Sequence, residues 1–268
     1  MTDNAATRRA VLGSMVAGAG LAALATTAQA QAGSRTYVLV HGAYGGGWIW
    51  RRVVDMLTAK GHKVFAPTLS GLGERSHLMS GLVTLDTHIT DVVNVIKWEN
   101  LENIVLVGHS YGGWVVSGVA EQSLPAIGSI VFLDAFMPEN GQKGLDLNSP
   151  RSREAVLAAV ARGEVSRAPD SAGAASPTMT EKDRAWLNSK ATAQPIGVSL
   201  YPIRLTGARN KVAKKAYIRA RGYPNPNFDA HYTALKSDPS WRLYEVPCGH
   251  SVMVEMPDRL TEILLETA

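Results

Sequence analysis

The 268-residue chain has one cysteine, Cys248, so no internal disulfide can form and the fold must be held by its core. It has no dense run of lysine and arginine apart from residues 211–215. With 27 basic against 23 acidic residues, the formal charge of +4 describes a mildly basic surface rather than a nucleic-acid-binding stripe. No spacing of His, Cys and Asp marks a metal site, and no internal repeat is visible. A dinucleotide fingerprint is missing too. "GAYGGG" (42–47) lacks the G-x-G-x-x-G spacing, and no acidic residue ends the second apolar run, where "FAPTLSG" stands. The one long hydrophobic stretch lies near the N-terminus and is too short and too rich in Ala and Gly for a comfortable membrane span.

That stretch, "TRRAVLGSMVAGAGLAALATTAQA" (7–30), has paired arginines, Arg8 and Arg9, and a small-x-small site at Ala28-Gln29-Ala30. It resembles a Tat-type export signal over residues 1–30, which implies a periplasmic or secreted mature chain without stable membrane association. A lone thiol in that oxidising setting is expected to be buried.

From residue 31 onward the length fits one domain, and 46% hydrophobic residues suffice for one large core. Mostly continuous apolar runs predict strands at 36–40, 63–66, 104–107, 129–133, 215–220 and 241–246. Helix-period segments fall at 50–60, 85–98, 113–122, 228–237 and 257–267. Such alternation predicts an α/β fold: a mostly parallel sheet of about six strands with helices on both faces. It breaks once, at about residues 138–213. No sheet strand is expected there, only helical patches around a Pro/Ser/Ala/Gly-rich middle (168–177). This reads as a helical cap inserted after the fourth strand, with a mobile centre.

The chemistry begins at "IVLVGHSYGG" (104–113). A parallel strand running into Gly108-x-Ser110-x-Gly112 and a helix is the setting of a nucleophile elbow. The turn is so tight that the serine is strained and its neighbours two away must lack bulk. Of seven histidines, His250 is the candidate base because it follows the last strand, directly before the terminal helix. His109 is expected to point away from the nucleophile, and His62, His77, His88 and His231 to be surface or loop residues. The N–H groups of Ala43 and Tyr111 are the candidate oxyanion donors, with His41 and Gly42 serving the same loop. Trp48, Trp50, Tyr111, Trp114, Phe136, Met137 and Trp186 are candidates for an apolar pocket. Trp114 and Phe136 are taken as substrate-binding together with His41 and Gly42. Glu74 and Arg75 are expected to form a structural pair.

The segments "VLVHGAYGGGWIW", "GHKVFAPTLSGLGER", "LVGHSYGG", "VFLDAFMPENGQ" and "GHSVMVEMPDRL" together resemble the α/β-hydrolase superfamily over essentially the whole of residues 31–268. The likeness is nearest to the small esterase and hydroxynitrile-lyase group that includes plant methylesterases. It implies a Ser-His-acid triad, no cofactor, and a small-molecule ester as the partner. One departure matters. In the plant members the acid follows the penultimate strand, where this chain has Arg221, Gly222 and Tyr223. Asp134, ending the preceding strand in "VFLDAFMP", is therefore the expected acid, with Asp229 as the alternative or an N-cap. Lyases of the group tend to carry lysine after the histidine and threonine in the oxyanion loop. Ser251 and Ala43 stand there, which favours ester hydrolysis. Lactonase, C–C bond hydrolase and cofactor-free oxygenase activities stay open, as does a receptor use of the fold.

Overall fold

The computed structural model describes residues 33–169, 176 and 178–268. The chain divides into Met1–Ser34 and Arg35–Ala268, and the second unit holds the sheet and its helices. The export-signal segment 1–30 lies outside the described residues, as do 170–175 and 177 of the stretch expected to be mobile. No helix among the described residues is long and apolar enough to cross a membrane.

Six strands form one sheet: β1 (Thr36–Val40), β2 (Lys63–Phe65), β3 (Ile104–His109), β4 (Ile127–Leu133), β7 (Lys214–Ala220) and β8 (Trp241–Val246). Their order is β2-β1-β3-β4-β7-β8, and every pairing is parallel. Helices α1 (Arg51–Ala59), α2 (Leu85–Trp98), α3 (Gly112–Ser123), α6 (Pro226–Leu235), α7 (Val252–Glu255) and α8 (Pro257–Thr267) follow or separate them.

The strands are apolar without alternation because both faces are covered. Tyr37 and Leu39 of β1 pack with Val105 and Val107 of β3 in one core layer. Val38 and Val40 pack with Ile104 and Leu106 in the other. Each Val, Leu or Ile fully removed from water in this way contributes about 1.5–3 kcal/mol. Helix α3 is apolar nearly all round, and residues 112–120 are all buried, because it lies between the sheet and α2. Helix α2 starts at a reciprocal Thr84/Thr87 cap. Helix α6 starts at Asn225, whose side chain accepts from the N–H groups of Asn227 and Phe228. Asp229 is therefore not the cap.

Between β4 and β7 lie α4 (Pro150–Ala161), α5 (Glu181–Lys190) and an antiparallel ribbon of β5 (Ser166–Arg167) and β6 (Gln194–Pro195). The ribbon was not expected: two residues a side leave no periodicity to read. It matters nonetheless, because Gln194 and Thr192 hold the loop after β1. Tyr44 donates its N–H to Gln194 Oε1 (2.9 Å), Thr192 donates to the Tyr44 carbonyl (3.0 Å), and Gly73 donates to Thr192 Oγ1 (2.9 Å). Glu74 and Arg75 do not pair. Arg75 instead reaches Asp91 (3.3 Å) and the Thr68 carbonyl (2.8 Å), bracing the loop after β2.

Candidate active site

Ser110 sits between β3 and α3 with φ +54°, a left-handed conformation rare outside glycine. Its N–H donates to the Leu133 carbonyl, and its own carbonyl accepts from Gly113 and Phe136. These bonds over-determine a geometry that by itself costs roughly 1–3 kcal/mol. The glycines are required by contact. A Cβ on Gly108 would lie 2.7 Å from the Gly112 carbonyl oxygen, and one on Gly112 would lie 2.8 Å from that of Val40. A Cβ on Gly42 would lie 3.0 Å from Ser110 Cβ, so the loop after β1 presses directly on the elbow.

Asp134 is fully buried at the end of β4 and also strained, at φ +43°. Its Oδ2 accepts the Nδ1–H of His250 at 2.7 Å. The other oxygen accepts from Arg219 (2.7 Å) and from the Ala220 N–H (3.1 Å). With Nδ1 carrying the proton, Nε2 of His250 is the basic nitrogen. Strand β7 lies between the strands that carry Asp134 and His250, so the loop after β8 has to reach back across it. The ring of Tyr223 stacks on His250 at 4.3 Å between centroids. Arg219 in turn donates to the Tyr223 carbonyl (2.7 Å) and to Asp229 (3.0 Å). Asp229 is thus tied to Arg219 and Arg221 and half exposed, away from the imidazole.

Ser110 and His250 line one cavity of about 520 Å³, together with Gly42, Ala43, Tyr44, Trp48, Ile49, Tyr223 and Ser251. Ser152, Arg167, Leu187 and Asn188 of the insertion also face it. The Ser110 hydroxyl makes no hydrogen bond to the ring of His250 among the described residues; the two groups meet through the cavity they share.

His109, expected to point away from the nucleophile, makes no hydrogen bond to the Ser110 hydroxyl among the described residues, yet it stays at the site. It lines the cavity, packs its ring 4.5 Å from that of His250, and donates Nε2–H to the His250 carbonyl (2.9 Å). Burial, reinforced by the neighbouring His250, holds its pKa well below the usual histidine value, so it stays neutral. It therefore adds no charge beside an imidazolium formed on His250.

Of the four residues expected to bind substrate, Gly42 lines the cavity and the other three do not; Trp50 and Met137 of the aromatic and apolar candidates are also buried away from it. Trp114 is buried in the core between sheet and α2. Phe136 packs edge-on against Phe228 at 4.8 Å and does not line the cavity. His41 is fully buried behind it, donating Nδ1–H to the Gly42 carbonyl (2.8 Å) and accepting from the Leu69 N–H (3.0 Å). Burial pushes its pKa down to about 4, so it braces two loops as a neutral ring. The Tyr111 side chain also turns away, its hydroxyl donating to Nδ1 of His88 (3.0 Å). His88 is accordingly no surface residue but fully buried, its Nε2–H on the Ser70 carbonyl (2.8 Å). The backbone N–H groups of Ala43 and Tyr111 donate to no protein acceptor among the described residues. Of the aromatic candidates, Trp48 faces the cavity, backed by Trp186 in an edge-on contact at 5.1 Å.

Arg219, Tyr223 and Arg167 escaped sequence reasoning. Arg219 had a signal: a charged residue inside an apolar parallel strand must find a buried partner. Tyr223 and Arg167 had none, since loop contacts leave no period. Cys248 is buried, and burial pushes its thiol up to about 12, so it stays protonated. Among the described residues no three His, Cys, Asp or Glu side chains cluster to hold a metal ion.

Known proteins resemble the chain in sequence and in fold. Over 235 residues, 85% of this chain and 97% of the relative, the sequence is 39% identical to a carbendazim hydrolyzing esterase of Nocardioides sp. (strain SG-4G). Over 105 residues it is 37% identical to salicylic acid-binding protein 2 of Nicotiana tabacum, spanning 39% of this chain and 40% of that one. An alpha-hydroxynitrile lyase of Arabidopsis thaliana is 35% identical over a similar stretch, 38% of this chain and 40% of the relative. Among solved structures, an extracellular alpha/beta-hydrolase from a Paenibacillus species superposes with a TM-score of 0.75 at 23% identity, covering 87% of this chain and 99% of that one. Residues 37–263 match the alpha/beta hydrolase family, and the chain belongs to that family as an esterase-type member.

Proposed function

We propose that this protein is a serine carboxylesterase acting through Ser110, His250 and Asp134. The observation that carries the reading is the 2.7 Å contact between Asp134 Oδ2 and His250 Nδ1, at the wall of the cavity that the strained Ser110 shares. His250 takes the Ser110 proton as the oxygen attacks the ester carbonyl. Asp134 keeps the ring in the right tautomer and favours the imidazolium. The N–H groups of Ala43 and Tyr111 receive the developing oxyanion, an arrangement worth roughly 3–4 kcal/mol of barrier. His250 then protonates the leaving alcohol, and water, activated by the same ring, cleaves the acyl-enzyme. Ser251 and Ala43, in the places where lyases of this group tend to carry lysine and threonine, favour hydrolysis over cyanohydrin cleavage.

The substrates are small-molecule esters. Carbendazim, named in the relative's activity, is the first compound to assay beside 4-nitrophenyl acetate. Wild type should turn over 4-nitrophenyl acetate with a burst of 4-nitrophenol, and Ser110→Ala should not. Equal rates for the two proteins would end this reading. The export pattern of residues 7–30 supports a mature chain outside the cytoplasm. Fractionation of cells making the full chain beside an Arg8→Lys/Arg9→Lys variant tests that.

A further inference from the structure

Among the described residues that line the catalytic cavity, Arg167 is the one lysine or arginine, and none is an aspartate or glutamate. Asp134 is behind His250, with both oxygens already engaged. Arg167 is half-buried on the β5–β6 ribbon, its guanidinium 5.0 Å over the ring of Tyr44. It belongs to none of the ion pairs found among the described residues. A planar fork of donors partly withdrawn from water, without a carboxylate, is matched to a bidentate anion. Its setting defines where that anion sits. Tyr44 is pinned on both sides of its peptide by Gln194 and Thr192, so the arginine rests on the same loop whose Ala43 N–H faces the reacting carbonyl. Ser152 and Asn188, both from the insertion, also line the cavity as neutral donors, and Ile49, Leu187 and Trp48 give it apolar surface.

We infer that the preferred substrates are anionic esters, in which an apolar spacer separates the scissile ester from a free carboxylate held by Arg167. This rests on the esterase reading above and specifies its substrate class. An aliphatic dicarboxylic acid esterified at one end is the simplest member: water cleaves the ester, releasing the alcohol and leaving the dicarboxylate. With a product carrying two negative charges, release from Arg167 is salt-sensitive, whereas turnover of a neutral ester is not.

The test measures kcat/KM for the mono-4-nitrophenyl esters of adipic, suberic and sebacic acids, each beside the neutral 4-nitrophenyl alkanoate of equal chain length. Wild type, Arg167→Gln, Arg167→Lys and Ser110→Ala are compared. At the best-fitting length wild type should favour the anion. Arg167→Gln should lower that preference about tenfold to a hundredfold, mainly through KM, the size expected for losing a charge-assisted hydrogen bond. Arg167→Lys should restore part of it, and the neutral series should change little. The proposal is overturned if the anion-to-neutral ratio is the same in wild type and Arg167→Gln at every length, or if the variant slows both series equally. Turnover of neither series above the Ser110→Ala background would bring down the esterase reading, and this proposal with it.

Discussion

Arg219 is the residue whose removal should cost most for a side chain that never meets substrate. It is 1% exposed, and the Asp134 carboxylate it grips is fully buried. Arg219→Met keeps most of the volume but deletes the 2.7 Å bond to Asp134, the 3.0 Å bond to Asp229 and the 2.7 Å bond to the Tyr223 carbonyl. Asp134 Oδ1 then has the Ala220 N–H as its remaining partner, at 3.1 Å. Leaving one member of a buried ion pair uncompensated costs about 3–5 kcal/mol, out of a total stability on the order of 5–15 kcal/mol. For a domain of this size that corresponds to a melting point lower by roughly 6–20 °C. The assay is guanidinium or thermal unfolding followed by tryptophan fluorescence, on wild type, Arg219→Met, Asp134→Asn and the double variant. In the Asp134→Asn background no buried charge is stranded, so Arg219→Met should cost at least about 1–2 kcal/mol less there. Equal costs in both backgrounds would refute the reasoning, because the arginine would then act through Asp229 and Tyr223 alone.

Asp134→Asn should lower ester turnover by about four orders of magnitude, from the wrong imidazole tautomer, while Asp229→Asn should change it less than about tenfold; steady-state kinetics on 4-nitrophenyl acetate would expose the reverse. Acid should destabilise the fold before any carboxylate matters. His41 and His88 are held at about 4 by burial, and His231 at about 4 by burial and then Arg209. Their unfolded value is 6.5, so the unfolded chain binds more protons below that pH, and stability falls as pH drops from 6.5 toward 4. Each contributes a loss of about 2 kcal/mol by pH 5. Denaturation midpoints that are flat between pH 8 and pH 5 would contradict this. Gly112→Ala puts a Cβ 2.8 Å from the Val40 carbonyl oxygen and 2.9 Å from that of His41, which should destabilise by about 1–3 kcal/mol and displace the elbow. Retention of full activity and full stability would show that the turn has room to give.

What the sequence determined by itself was whatever repeats locally. Four-residue apolar runs such as those of β3 and β4 are readable because a strand covered on both faces needs no polar alternation. Gly108-x-Ser110-x-Gly112 is readable because backbone crowding forbids a side chain at either glycine, whatever the rest of the fold does. His250 and Asp134 were legible as the residues that end or follow strands at the carboxyl edge of a parallel sheet, where such sites form.

Tertiary structure alone decided the rest, because those contacts join residues with no fixed spacing. Phe136 and Trp114 follow Asp134 and Ser110 closely in sequence, yet the turn directs both into the core. His109, one residue from Ser110, has His250 laid against it because the loop after β8 reaches back across β7, a contact that no sequence spacing announces. His41 and His88 look like loop and surface residues on paper; enclosure makes them neutral braces. The hold of Arg219 on Asp134 and the position of Arg167 over the cavity depend on which strand neighbours which and on where the insertion folds back. A chain's own periodicity encodes its elements, but only packing sets the distance between side chains that lie a hundred residues apart.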